Sequence, residues 1–161
     1  MALKGVVAER LAGKKREVAG MIAEKSTLFE ELRHLNLLLV EDDELLRNSL
    51  ELFFENEGCR LLARGSAEEG LSVLRQQPFD VVITDFRLPG MNGLDFLRAL
   101  QELQPDAQKI LLTAYMNENV LAEAFRLGVH EFIEKPLSTD DVEDALVRIL
   151  NRRGGAGKIC Q

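Results

Sequence analysis

VVITDFRLPGMNG, residues 81–93, is an unbroken apolar run that ends abruptly in a carboxylate, Asp85. A turn rich in Pro and Gly follows, and then an amphipathic segment. An apolar run of this length reads as a strand buried on both faces, which is the mark of a parallel sheet. In open α/β sheets the carboxyl edge of the strands is where ligands and chemistry sit. A second run, LNLLLV, ends the same way in Glu41, Asp42 and Asp43. Two strands thus bring acidic groups toward one place, where they repel unless a cation sits among them.

Outward from these runs, the texture from Leu35 to Asn151 alternates short apolar runs with amphipathic segments. Strands are expected at Leu35–Val40, Arg60–Arg64, Asp80–Thr84, Gln108–Thr113 and Glu131–Glu134. Helices are expected at Glu44–Glu57, from the Ser66 cap to Arg75, and at Leu94–Leu103, Asn117–Leu127 and Ser138–Asn151. The first of these helices turns Leu46, Ser49, Leu50 and Phe53 inward. Ser66 with Glu69 forms a capping box, and Gly128 is a C-terminal stop. Five βα units of this kind predict an α/β fold with a five-stranded, doubly wound parallel sheet. Residues 152–161, RRGGAGKICQ, read as a flexible tail.

Residues 1–34 differ. At seven-residue spacing Leu11, Val18 and Leu32 share one position, and Val7, Met21, Leu28 and Leu35 share its partner. Seven of ten seam positions are apolar, and Lys4, Lys14 and Lys25 interrupt them. That is a short, imperfect coiled-coil pattern on an amphipathic helix. Gly13 and Gly20 weaken it. Either the helix pairs with a second copy, giving a homodimer, or it lies on its own domain.

The chain has 161 residues, 46% hydrophobic and 29% charged, a globular balance. Its net charge of −7 is uneven: +2 over residues 1–34, −12 over 35–150 and +3 over the last eleven. So acidic a body is a poor partner for nucleic acid, whose phosphates need Lys and Arg. No apolar run approaches membrane-spanning length, and no export signal is evident, so a cytoplasmic protein is expected. Cys59 and Cys160 form no CxxC pair and read as reduced thiols. His34 and His130 have no partner pattern.

Four of the expected strands end in reactive groups: Glu41, Asp42 and Asp43; Asp85; Thr113; and Lys135, followed by Pro136. Carboxylates, a hydroxyl and an ammonium on one sheet edge suit phosphoryl chemistry. A hard cation such as Mg²⁺ takes the oxygen ligands, Lys and Thr meet phosphate oxygens, and a carboxylate can be the nucleophile. Asp43 reads as the N-cap of the following helix.

The ordered set LLLVEDD, VVITDFRLPGMNG, LLTAY and FIEKP resembles the receiver domain of two-component response regulators over about residues 35–151. The resemblance implies a flavodoxin-like receiver fold, to which the N-terminal helix is extra. It implies Asp85 as the phosphoacceptor, Asp42 as a direct Mg²⁺ ligand, Glu41 acting mostly through water, and the backbone carbonyl of Arg87 as a further ligand. It implies that Thr113 and Lys135 contact the phosphoryl group, and that Phe132 is an aromatic switch residue beside Thr113. It places Arg87 and Tyr115 where access to the phosphoryl group is tuned, and makes the bond before Pro136 often cis. The implied donor is a histidine kinase or a histidine phosphotransfer protein, with the downstream effector open. A competing reading is a Mg²⁺-dependent aspartyl-phosphate phosphohydrolase, which usually carries a second Asp two residues after the nucleophile; here that residue is Arg87. A third is an interaction module independent of phosphorylation.

Overall fold

The computed structural model describes residues 27–114 and 117–159, with side chains to Arg153. Five strands, β1 (Asn36–Val40), β2 (Arg60–Arg64), β3 (Val81–Asp85), β4 (Gln108–Thr113) and β5 (Glu131–Glu134), form one parallel sheet in the order β2-β1-β3-β4-β5. Five helices follow them: α1 (Glu44–Asn56), α2 (Ala67–Gln76), α3 (Gly93–Leu103), α4 (Glu118–Arg126) and α5 (Thr139–Ile159). The chain moves outward from β1 in both directions, so the crevice of the topological switch opens between the carboxyl ends of β1 and β3. Register places Val40 opposite Thr84 and Asp85 opposite Leu112, so Glu41 and Asp85 leave the sheet side by side.

Side-chain alternation along the strands builds two cores. Leu37, Leu39, Val81, Ile83, Ile110 and Leu112 face α1 and α5, while Leu38, Val40, Val82 and Leu111 face α2, α3 and α4. This double covering is why the strands read apolar throughout. On α1 the buried residues are Leu50 and Phe54, with Leu46 and Phe53 half-buried. Ser49, expected inward, is exposed, and its hydroxyl donates to Leu45 O at 2.8 Å. A hydroxyl in the helix interior satisfies itself on the preceding turn and leaves the core to Phe54.

The caps follow the sequence reading. Asp43 accepts from the amides of Leu45 and Leu46, and Ser66 from that of Glu69. The reciprocal bond of the Ser66 box runs one residue earlier than expected, from Gly65 N to Glu69 Oε2 at 3.2 Å. Two features were not legible. Arg87–Leu88 and Met91–Asn92 pair as a miniature antiparallel ladder, with Gly90 at φ +79° in its turn. Gly93 closes that ladder, since a Cβ there would lie 2.4 Å from Phe86 O. The last helix also runs on to Ile159 and does not stop at Asn151. Arg148 and Arg152 both reach buried Glu131 at the start of β5, at 2.8 and 2.7 Å. These paired contacts tie the helix to β5 just before Gly154 and Gly155, which are poor helix formers.

Residues 27–32 are helical, and Leu28, Phe29 and Leu32 are buried in the core that faces α1 and α5. Phe29 meets Phe53 edge to face at 5.9 Å, and Arg33 Nε donates to Glu57 O at the end of α1. Of the two occupants open to the seam, Leu28 and Leu32 take the chain's own domain. The seam positions before Thr27 lie outside the described residues, as do Tyr115 and Cys160.

Lys109 is the one buried lysine among the described residues, 3% exposed near the start of β4. Its ammonium donates to Ala107 O at 2.9 Å, and burial lowers its pKa from the ordinary 10.5 against a weaker pull from Asp106. A lowered folded pKa means that stability is gained as pH rises through the folded value toward 10.5 and is lost on the way down. Lys109→Met should therefore raise the unfolding free energy at neutral pH by about 1 kcal/mol, the scale of an incompletely satisfied buried polar group. The gain should shrink as pH approaches that of the free amine. Denaturant unfolding at neutral and alkaline pH checks this, and a loss of stability at neutral pH would refute it.

Candidate functional site

Glu41 follows β1 directly, Asp85 ends β3, Thr113 ends β4 and Lys135 follows β5. The parallel sheet alone brings them together, because each strand stops at the same edge. Lys135 Nζ lies at the centre. It donates to Asp85 Oδ2 at 2.8 Å and to both carboxylate oxygens of Glu41 at 3.0 Å. The other oxygen of Asp85, Oδ1, accepts from the Arg87 amide at 3.1 Å. Lys135 is itself held by its backbone, whose amide donates to Thr113 O at 2.9 Å, and the Lys135-Pro136 bond is cis.

The electrostatics are those of a crowded acidic pair around one cation. Burial, followed by the charge of Asp85, pushes the Glu41 carboxyl up from 4.5 to about 7, although Lys135 pulls it down. Burial works against the Lys135 ammonium, but its hydrogen bonds to Asp85 and Glu41 hold it above its ordinary value. Glu41 is fully buried and Asp85 nearly so, whereas Asp42 is exposed. One oxygen from each of Glu41, Asp42 and Asp85 lies within 4.8 Å of the others. Three hard carboxylate oxygens at that separation fit a hard divalent cation of the Mg²⁺ or Ca²⁺ type, and one lysine leaves their charge incompletely balanced.

Thr113 is 1% exposed at the end of β4. Phe132 is half-buried on β5, against the core under α3 and α4. A groove of about 490 Å³ runs between β5 and α5, lined by Phe132, Lys135, Asp141, Asp144 and Arg148 among others. It connects the Lys135 end of the site to the surface of α5. Asp43 caps α1 through its side chain, and its backbone amide donates to Glu41 Oε1 at 3.2 Å. His130 stacks edge to face on Phe125 at 5.1 Å. Sequence reading missed Arg47, whose guanidinium lies on the backbone of the acidic loop.

A response regulator receiver domain model matches residues 37–147. The chain belongs to the response regulator receiver family. The transcriptional regulatory protein AfsQ1 of Streptomyces coelicolor is 34% identical over 119 residues, which cover 74% of this chain and 52% of that protein. The chain thus spans about half the length of that relative. Among solved structures, a CheY-like receiver domain of Methanospirillum hungatei superposes with a TM-score of 0.71 at 25% identity, covering 76% of this chain and 98% of that one. The non-phosphorylated HemR receiver domain of Leptospira biflexa gives 0.67 at 32% identity, over 71% and 93%. The matched span begins after Leu32, so the helical segment packed under α1 and α5 is additional to the receiver module.

Proposed function

We propose that this receiver accepts a phosphoryl group on Asp85 and uses it to reshape the surface of α4, β5 and α5. The observation that carries the reading is the Lys135 ammonium, held between the buried carboxylates of Asp85 and Glu41 at the carboxyl edge. An oxygen of Asp85 attacks phosphorus, the bond from phosphorus to the donor imidazole nitrogen breaks, and the imidazole leaves with that electron pair. The product is an acyl phosphate. Asp42 and Asp85, with Glu41 behind them and the Arg87 carbonyl beside them, would hold Mg²⁺, which supplies charge neutralisation when bound. Lys135 passes from carboxylate to phosphoryl oxygens without crossing the site. The Thr113 hydroxyl closes on the same oxygens, and Phe132 follows it inward. The groove beside Phe132 and Lys135 gives this movement a path to α5.

The donor is a histidine kinase or a histidine phosphotransfer protein, and the setting is cytoplasmic. No helix of the described residues is long and apolar enough to cross a membrane. The output is a protein contact, since the acidic body offers little to phosphate. Turnover as a phosphohydrolase is disfavoured, because Arg87 stands where a second carboxylate would act. The chain's role is signalling.

The cation is tested by melting. Mg²⁺ at about 100 times its dissociation constant should stabilise the fold by about 2.7 kcal/mol. Asp42→Ala should abolish most of that response while melting no lower than wild type in chelator. If wild type melts identically with Mg²⁺ and with chelator, the cation site is wrong. The transfer is tested by label from an acyl phosphate donor, which should be released by hydroxylamine.

A further inference from the structure

Arg47, the fourth residue of α1, lays its guanidinium on the backbone of the loop after β1. Its Nη1 donates to the backbone oxygen of Glu41 at 2.9 Å and to that of Asp42 at 3.4 Å. Among the described residues no carboxylate forms an ion pair with it. Its backbone is fixed from the other side, because the Arg47 amide donates to Asp43 O at 2.9 Å and Asp43 caps the helix. The guanidinium is also confined laterally. A Cβ at Gly65, just after β2, would lie only 3.1 Å from Nη1. One rigid planar group therefore spans the loop after β1, the first turn of α1 and the loop after β2.

Resting on the receiver reading, we propose that Arg47 is the positioning residue of the cation site: it fixes the peptide units of Glu41 and Asp42 so that the exposed Asp42 carboxylate faces Asp85. Among the described residues the Asp42 side chain has no hydrogen-bond partner, so the direction of its Cα–Cβ bond is set by the backbone beneath it. That backbone is held by the two carbonyl contacts. Both contacts come from Nη1; a lysine keeps the charge but puts a tetrahedral ammonium on a flexible stem in place of the rigid planar guanidinium that presents this nitrogen. Partners that orient metal ligands affect affinity by about 10–100-fold when removed.

Two effects oppose each other, and this makes the proposal testable. A guanidinium near a divalent cation repels it, so deleting the charge alone would tighten binding. Losing the orientation would weaken it. Mg²⁺ binding to the full chain, measured by titration calorimetry at a temperature where each variant is folded in chelator, separates them. Arg47→Lys and Arg47→Gln should both bind Mg²⁺ about tenfold more weakly than wild type. Wild-type affinity in Arg47→Lys, or tighter binding in Arg47→Gln, overturns the proposal. So does a variant that melts lower in chelator with its Mg²⁺ dissociation constant unchanged, which would make Arg47 a purely structural tie. A wild type that binds no Mg²⁺ defeats the cation reading itself, whereas wild-type binding matched by Arg47→Lys defeats only the role of Arg47.

Discussion

Given Mg²⁺ and an acyl phosphate donor, wild-type chain should take up one phosphoryl group, and Asp85→Asn should take up none above background. The expected loss is ~10³-fold or more, the scale on which removing a covalent nucleophile acts. Asparagine has nearly the shape of aspartate but offers one oxygen where two donors converge, the Arg87 amide on Oδ1 and the Lys135 ammonium on Oδ2. Whichever way the amide turns, one donor faces an NH₂ group. The variant should nevertheless fold. Removing the Asp85 charge relieves its Coulombic repulsion of buried Glu41, so melting in chelator should be at or above wild type. Intact-mass measurement of both proteins decides it. Undiminished label on Asp85→Asn would place the acceptor elsewhere. Label lost together with the fold would show that Asp85 is structural.

Leu32→Ala should cost about 2–5 kcal/mol, the range for deleting a fully buried leucine side chain. Leu32 is 0% exposed, although it precedes the span that matches the receiver family. It lies with Leu28 and Phe29 among side chains of the sheet, α1 and α5. The cost should not depend on protein concentration, because the contacts are within one chain. Denaturant unfolding at two concentrations tenfold or more apart distinguishes this from pairing of the heptad seam between copies. A midpoint that rises with concentration in wild type and loses that dependence in Leu32→Ala would restore the dimer. A loss of less than about 0.5 kcal/mol, the size of an ordinary surface substitution, would show that the leading segment is not part of the core.

Most of the fold was legible because its signals are local. Apolar runs buried on both faces identify strands, and the Asp43 and Ser66 side chains mark helix starts by what they can accept. The shared edge of the candidate site residues was legible for the same reason. A strand that ends in Asp85 or in Glu41 announces its edge, and parallel topology does the rest. The errors have two causes, a partner distant in sequence and a side chain satisfied by its own helix. Helix α5 runs past Gly154 and Gly155, and its Arg148 and Arg152 reach Glu131 on another element, which no local propensity records. Ser49 looked inward by spacing, but its hydroxyl found the preceding turn.

The sequence by itself determined the five βα units, the acidic edge and the order of Glu41, Asp85, Thr113 and Lys135 along it, because these depend on periodicity and on where apolar runs stop. Tertiary structure alone decided that Lys135 sits between Glu41 and Asp85, that Arg47 grips the loop carrying Asp42, and that Leu28 and Leu32 belong to the receiver core. The first and last are contacts across tens of residues, and the Arg47 contact, though only five or six residues long, depends on how the loop turns after β1. A heptad pattern records only that a helix has an apolar face; what covers that face is settled by the shape of the surface it meets.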